Sequence, residues 1–175
     1  MDFRYNIFLK AKAWHIFSMF LGIMIISPIL TLNLHLPFGL SRFFMPLQML
    51  FILVWLYVLG TQLYSIGPEI VPSKIGLFKG SIILTAVFLY LFIFLYFGPE
   101  MTSWPAILLA ILINLGFIYS IFFVAKAIVY AEFREKSGFQ NVGMVIILIW
   151  LFPIGVWFIQ PRLQKIYTKI SRTDA

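Results

Sequence analysis

The chain has 175 residues, 62% of them hydrophobic and 11% charged. Soluble domains run at about 45–50% apolar and about 25% charged, so a water-soluble fold of this size is excluded. The net charge of +7 falls at the ends of apolar runs, which reads as membrane topology and not as nucleic-acid binding. With no cysteine in the chain, disulfides, thiolate catalysis and cysteine-ligated metal sites are excluded as well.

Apolar runs of roughly 18 or more residues predict helices, because about 20 helical residues cross about 30 Å of hydrocarbon. No water is present there, so the backbone must pair within the segment. The runs lack the polar–apolar alternation of a membrane barrel. The first predicted span covers residues 13–31, with Arg4, Lys10 and Lys12 before it and Pro28 bending its far half. Basic residues ahead of an apolar run resemble a signal peptide, but no small-residue cleavage site follows, which predicts an uncleaved span. Thr31 to Leu36 alternates polar and apolar, as either a short extended stretch or a fraying helix end. Pro37-Phe38-Gly39 then marks a turn.

The second span covers 47–63, and a loop opened by Gly67-Pro68 and Pro72 leads to a third over 81–97. Phe88, Tyr90, Phe92, Phe94 and Tyr96 fall at alternate positions of the third span, which on a helix scatters them over two faces as packing bulk. The fourth span, 105–124, opens with Trp104-Pro105, proline being suited to a first helical turn. Nothing breaks that helix before Gly138, so it is expected to continue as a charged stretch carrying Glu132 and Lys136 four apart, either a solvated helix end or a cytoplasmic docking handle.

The last apolar run, 142–159, is interrupted by Pro153-Ile154-Gly155. Its first 11 residues span only about 16 Å as helix, about half of the hydrocarbon. Two outcomes stay open: a re-entrant segment that turns back, or a proline-kinked fifth span. Counting basic residues favours the first. With the N-terminus inside and four full spans, Arg4, Lys10, Lys12, Lys74, Lys79, Lys126, Arg134 and Lys136 lie inside and only Arg42 outside. A returning segment adds Arg162, Lys165, Lys169 and Arg172 to the inner side, whereas a crossing one places them outside, against the positive-inside rule. Pro161 then opens a predicted surface helix, 161–172, with Leu163, Ile166, Tyr167 and Ile170 on one face and the four basic residues on another. Such a helix suits a bilayer rich in anionic headgroups.

The expected architecture is therefore an all-α membrane protein. It has four transmembrane helices, a Pro/Gly-broken re-entrant or fifth helix, and a basic amphipathic C-terminal helix, all in one domain over 1–175. Both termini are expected on the cytoplasmic side of a bacterial inner membrane.

No catalytic, cofactor-binding or metal-binding set is legible. The chain has no G-x-S-x-G, no phosphate-cradling glycine loop and no charge near a span centre. His15 and His35 flank the first span about 30 Å apart, too far to share a metal. Asn114, Gln62 and Ser120 are candidates for interhelical hydrogen bonds or a pore lining, with Asn114 nearest a membrane centre. Ser18 with Gly22, Ala106 with Ala110, and Gly116 with Ser120 are small residues four apart, a spacing that permits close helix contact and a homo-oligomer.

The run Ile149-Trp150-Leu151-Phe152-Pro153-Ile154-Gly155-Val156-Trp157-Phe158-Ile159-Gln160-Pro161-Arg162-Leu163, with the preceding Ala125-Lys126-Ala127 to Glu132 stretch, resembles the tail of uncharacterised small bacterial membrane proteins marked by F-P-I-G-V-W and Q-P-R. It covers about the last 50 residues and implies no activity for any of them. Three functional readings follow: a non-enzymatic membrane protein that docks or organises partners, an oligomeric pore or membrane-perturbing effector, and a lipid-modifying enzyme or small transporter. The last would have to use Glu69, Glu100 and His35.

Overall fold

A computed structural model describes residues 12–33, 45–66, 75–96, 104–133 and 139–173. These form six helices and, among the described residues, no strand: α1 (Ala13–Asn33), α2 (Met45–Ile66), α3 (Ile75–Tyr96), α4 (Trp104–Phe133), α5 (Phe139–Trp150) and α6 (Phe152–Thr173). Three of them, α2, α3 and α4, are long and apolar enough to cross a membrane. The 21-residue α1 has a shorter described apolar stretch, Ala13–Ile26. His35, Arg42, Glu69 and Glu100 lie outside the described residues, as does the end of the expected extended stretch after Asn33.

Helix α3 starts at Ile75, six residues ahead of the predicted span. Gly76, Lys79 and Gly80 read as loop in the sequence, yet they fall on the exposed side of its first two turns. The opposite side carries Phe78, which is fully buried, and that anchor holds the turns helical. Helices α3 and α4 run antiparallel with a regular pairing along their length. Phe78 stacks on Phe123 at 4.2 Å between ring centroids. The hydroxyl oxygens of Ser81 and Ser120 stand 3.1 Å apart, and Thr85 packs directly on Gly116.

Each hydroxyl in this seam also has a backbone acceptor. Ser81 Oγ can donate to Phe78 O at 2.8 Å, Ser120 Oγ to Gly116 O at 2.8 Å, and Thr85 Oγ1 donates to Ser81 O at 2.7 Å. A hydroxyl has one proton, so one of the two serines donates across the seam while the other serves its own helix. The Gly116–Ser120 pair, a sequence candidate for contact between copies, is thus spent inside the chain. A Cβ at position 116 would collide with Thr85 Oγ1. Gly116→Ala is expected to cost about 1–3 kcal/mol, and Thr85→Ala in the same chain should recover most of it. Thermal denaturation in detergent of the single and double variants checks this.

On α2, Leu53, Trp55, Leu56, Leu59 and Leu63 enter the core, and Gly60 lets the Phe78 ring approach the backbone. On α4 the buried run Val124, Ala125, Ala127, Ile128 and Val129 continues well beyond the predicted span. The stretch expected to be a solvated helix end is instead covered on one side, with α2, α5 and α6 packed on α4.

Candidate functional site

The feature that sets this bundle apart is the corner between α5 and α6. Helix α5 ends with Leu151 N–H donating to Ile147 O at 2.9 Å. Helix α6 begins with Gly155 N–H donating to Leu151 O at 2.8 Å. The break is therefore at Leu151, ahead of the Pro153-Ile154-Gly155 motif. Pro153 sits in the first turn of α6, where its missing N–H would have had no intrahelical partner. Gly155 is an ordinary helical residue whose role is close approach. A Cβ there would strike the backbone carbonyl of Leu148, seven residues back. In a straight helix, residues seven apart are separated by about 10 Å, so the chain turns sharply here.

The tip of the corner is held by aromatic rings. Phe152 meets Trp55 of α2 at 5.0 Å and Phe20 of α1 at 5.1 Å between centroids, both edge-on, and Phe51 at 6.1 Å. Edge-on pairs of this kind contribute about 0.5–1.5 kcal/mol each beyond area burial. Farther along α6, Trp157 faces Phe17 at 5.9 Å. As α6 advances from 152 to 157, its α1 partner recedes from 20 to 17, so α1 and α6 run antiparallel.

One buried stripe passes through the corner without losing phase: Val142, Val145, Ile149, Phe152, Val156, Ile159, Leu163 and Ile166. The steps alternate between three and four residues, the repeat of a helix seam. The opposite face of the apolar part, Met144, Ile147, Trp150, Leu151, Ile154, Trp157 and Phe158, is exposed and equally apolar. That masks the periodicity in the sequence until polar residues take over the outer face beyond Pro161.

The segment 161–172 is not a separate helix. It is the second half of α6, which begins at Phe152 and runs through Pro161 to Thr173. Proline removes one backbone donor, and both Pro161 and its lost partner Trp157 lie on the exposed side, away from the buried stripe. Leu163 and Ile166, expected to face lipid, are instead in the protein core. Arg162 is half-buried and Lys165 exposed, and Lys169 and Arg172 lie on the same helix.

Arg162 carries the strongest positional information. Its Nη1 lies 3.7 Å from Oε2 of Glu132, near the end of α4. Both side chains are about one-third exposed, so the pair contributes about 1 kcal/mol or less. As a ruler it says more. Helix α5 is 12 residues, about 18 Å, and Phe152 to Arg162 spans about 15 Å. Two nearly equal lengths, one outward from the end of α4 and one back, bring Arg162 to Glu132.

Of the other sequence candidates, Ser120 joins the α3–α4 seam. Gln62 is half-buried with its Oε1 out of contact with any described donor, and the indole N–H of the fully buried Trp55 meets no described acceptor. Asn114 makes no interhelical bond among the described residues. Its Nδ2 donates to Ala110 O of its own helix at 2.8 Å, and the side chain is exposed. His15 is exposed, stacked on Trp14 and accepting from Lys12 N–H at 3.2 Å. Among the described residues, no three His, Asp or Glu side chains gather as a metal site. No protein-family model matches the chain, and no curated protein or solved structure shows a detectable similarity to it.

Proposed function

We propose that this is a non-enzymatic polytopic membrane protein that docks or organises a partner at the inner membrane surface. Helices α1 to α4 cross the bilayer. Helix α5 and the first half of α6 enter from the cytoplasmic side and return to it. The second half of α6, braced on the end of α4, forms a basic platform there. The observation that carries this reading is the 3.7 Å approach of Arg162 to Glu132. A straight crossing from Phe139 would leave Arg162 about 35 Å away. A returning hairpin also keeps Arg162, Lys165, Lys169 and Arg172 on the side that holds the other basic residues, as short loops favour. A sharply turned backbone within the bilayer needs protein around it, and Phe20, Phe51 and Trp55 supply that cover.

The resemblance at the tail acquires a physical meaning in this reading. Phe152 is the buried tip, Pro153 opens the returning helix, Gly155 permits the close turn, and Arg162 ties the end down. We take F-P-I-G-V-W followed by Q-P-R as the signature of this corner. Leu163 and Ile166 pack inward, so neither supplies the apolar contact that a helix lying on the bilayer would use. The platform is available to a protein with an acidic face.

Ser120 supports a pore less than the sequence suggests, because its hydroxyl is engaged in the α3–α4 seam. The test is a pair of measurements on the full chain. Tagged protein extracted in mild detergent should retain a stoichiometric protein companion, and Lys165→Gln with Lys169→Gln and Arg172→Gln should release it. Liposomes at high protein content should stay sealed to small ions. Steady ion flux with no companion would replace the docking reading with the pore.

A further inference from the structure

The outward face of α4 carries a polar group with hydrogen-bonding capacity to spare. Asn114 is 10 residues from Trp104, about 15 Å along the helix. In a crossing α4 that is the middle of about 30 Å of hydrocarbon. Its amide has two N–H donors and one carbonyl acceptor. One N–H goes to Ala110 O, leaving the second N–H and Oδ1 facing out. Asn114 lines a mostly apolar surface groove of about 410 Å³ with Phe92, Ala106, Ala110 and Ile111. Polar groups in hydrocarbon turn toward a partner and seldom toward lipid, and an acyl chain in the groove offers neither donor nor acceptor.

We infer that this groove is the interface of a homodimer in which α4 packs against α4 of a second copy and the two Asn114 amides bond to each other. The occupant follows from the chemistry of the exposed group. An amide is its own complement, donating through nitrogen and accepting through oxygen. A two-fold axis through Asn114 therefore satisfies both copies with one residue type, as a self-complementary interface requires. Ala110, one turn before Asn114 and partly exposed, keeps the α4 surface low enough for a second helix to approach. The inference rests on α4 crossing the bilayer, for which its length and composition suffice. It does not depend on the side that the C-terminus occupies, so the two can fail separately.

The chain has no native cysteine, so a single one gives a clean readout in native membranes. Ala110→Cys under mild oxidation should yield a reducible species at twice the 20.3 kDa monomer mass. Ile83→Cys, on the exposed face of α3, measures random collision. Adding Asn114→Leu to Ala110→Cys should lower the yield about eightfold, in line with the two reciprocal hydrogen bonds of the pair at about 0.6 kcal/mol each. Adding Asn114→Gln, which keeps the amide, should retain most of it. An Ala110→Cys yield no higher than that of Ile83→Cys would leave the groove to lipid and overturn the dimer. So would a yield indifferent to Asn114→Leu, or a product whose mass shows a different protein in the groove.

Discussion

A Gly155→Ala chain is expected to lose about 3 kcal/mol, the upper end of the usual overpacking cost. The reason is the identity of the obstacle. At Gly116 the added methyl meets a threonine hydroxyl, and at Gly60 the tip of a phenylalanine ring, both ends of side chains that can rotate. At Gly155 it meets the carbonyl group and Cα of Leu148, which are backbone. Only opening the corner relieves that contact, and opening it withdraws Phe152 from its aromatic neighbours. Gly143→Ala is the matched control one helix earlier, because a Cβ there meets nothing within 4 Å. Its effect should be small and on the stabilising side, since alanine is the better helix former by up to about 1 kcal/mol. Melting of both variants in the same detergent decides the matter, and equal midpoints would mean that the corner is not tight at Gly155.

Phe152→Ala carries the second large effect, about 3–5 kcal/mol, the range for emptying a buried aromatic site. Phe152 is almost fully buried, with one ring from α1 and two from α2 around it. Phe158, six residues on, is exposed, and Phe158→Ala should move the midpoint little. Phe152→Leu should fall between the two because it keeps most of the apolar volume. If Phe152→Ala and Phe158→Ala melt alike, the aromatic cradle does not hold the tip.

Much of the architecture was legible because long apolar runs leave the backbone one economical solution. The runs over 13–31, 47–63, 81–97 and 105–124 each became a helix within a few residues, apart from the early start of α3; α4 runs on past 124 as expected, the exception there being that its end is buried on one side and not solvated. Both exceptions have one cause: glycine, lysine and alanine look like loop or solvated end when their neighbours are unknown. Phe78 anchors the first turns of α3 into the core, and α2, α5 and α6 pack on α4, where Ala125, Ala127, Ile128 and Val129 are buried. Tertiary packing of this kind has no local signature.

The corner shows the same division. The sequence marked the region through Pro153 and Gly155, but the turn falls at Leu151, which carries no turn chemistry. A proline in a first helical turn and a glycine at a close contact announce a corner without locating its vertex. The stripe from Val142 to Ile166 was present in the sequence, hidden by the apolar residues opposite it. Pro161 suggested a helix start because proline favours that position, while the structure tolerates it on the exposed side of a helix already under way. Asn114 stood out as a polar residue at mid-span, yet its outward direction depends on the α3–α4 register, set by Phe78, Ser81 and Thr85 on one helix and Gly116, Ser120 and Phe123 on the other.

The central claim is that the chain turns back at Leu151 and returns its tail to the side it came from. Side-specific labelling of Ser171→Cys in intact cells tests it most directly. An impermeant thiol reagent should leave this cysteine unmodified until the membrane is opened, while Ser41→Cys, beside Arg42 and expected on the outer side, should react at once. Labelling of Ser171→Cys from outside intact cells would mean that residues 142–159 cross the bilayer, and would contradict the account.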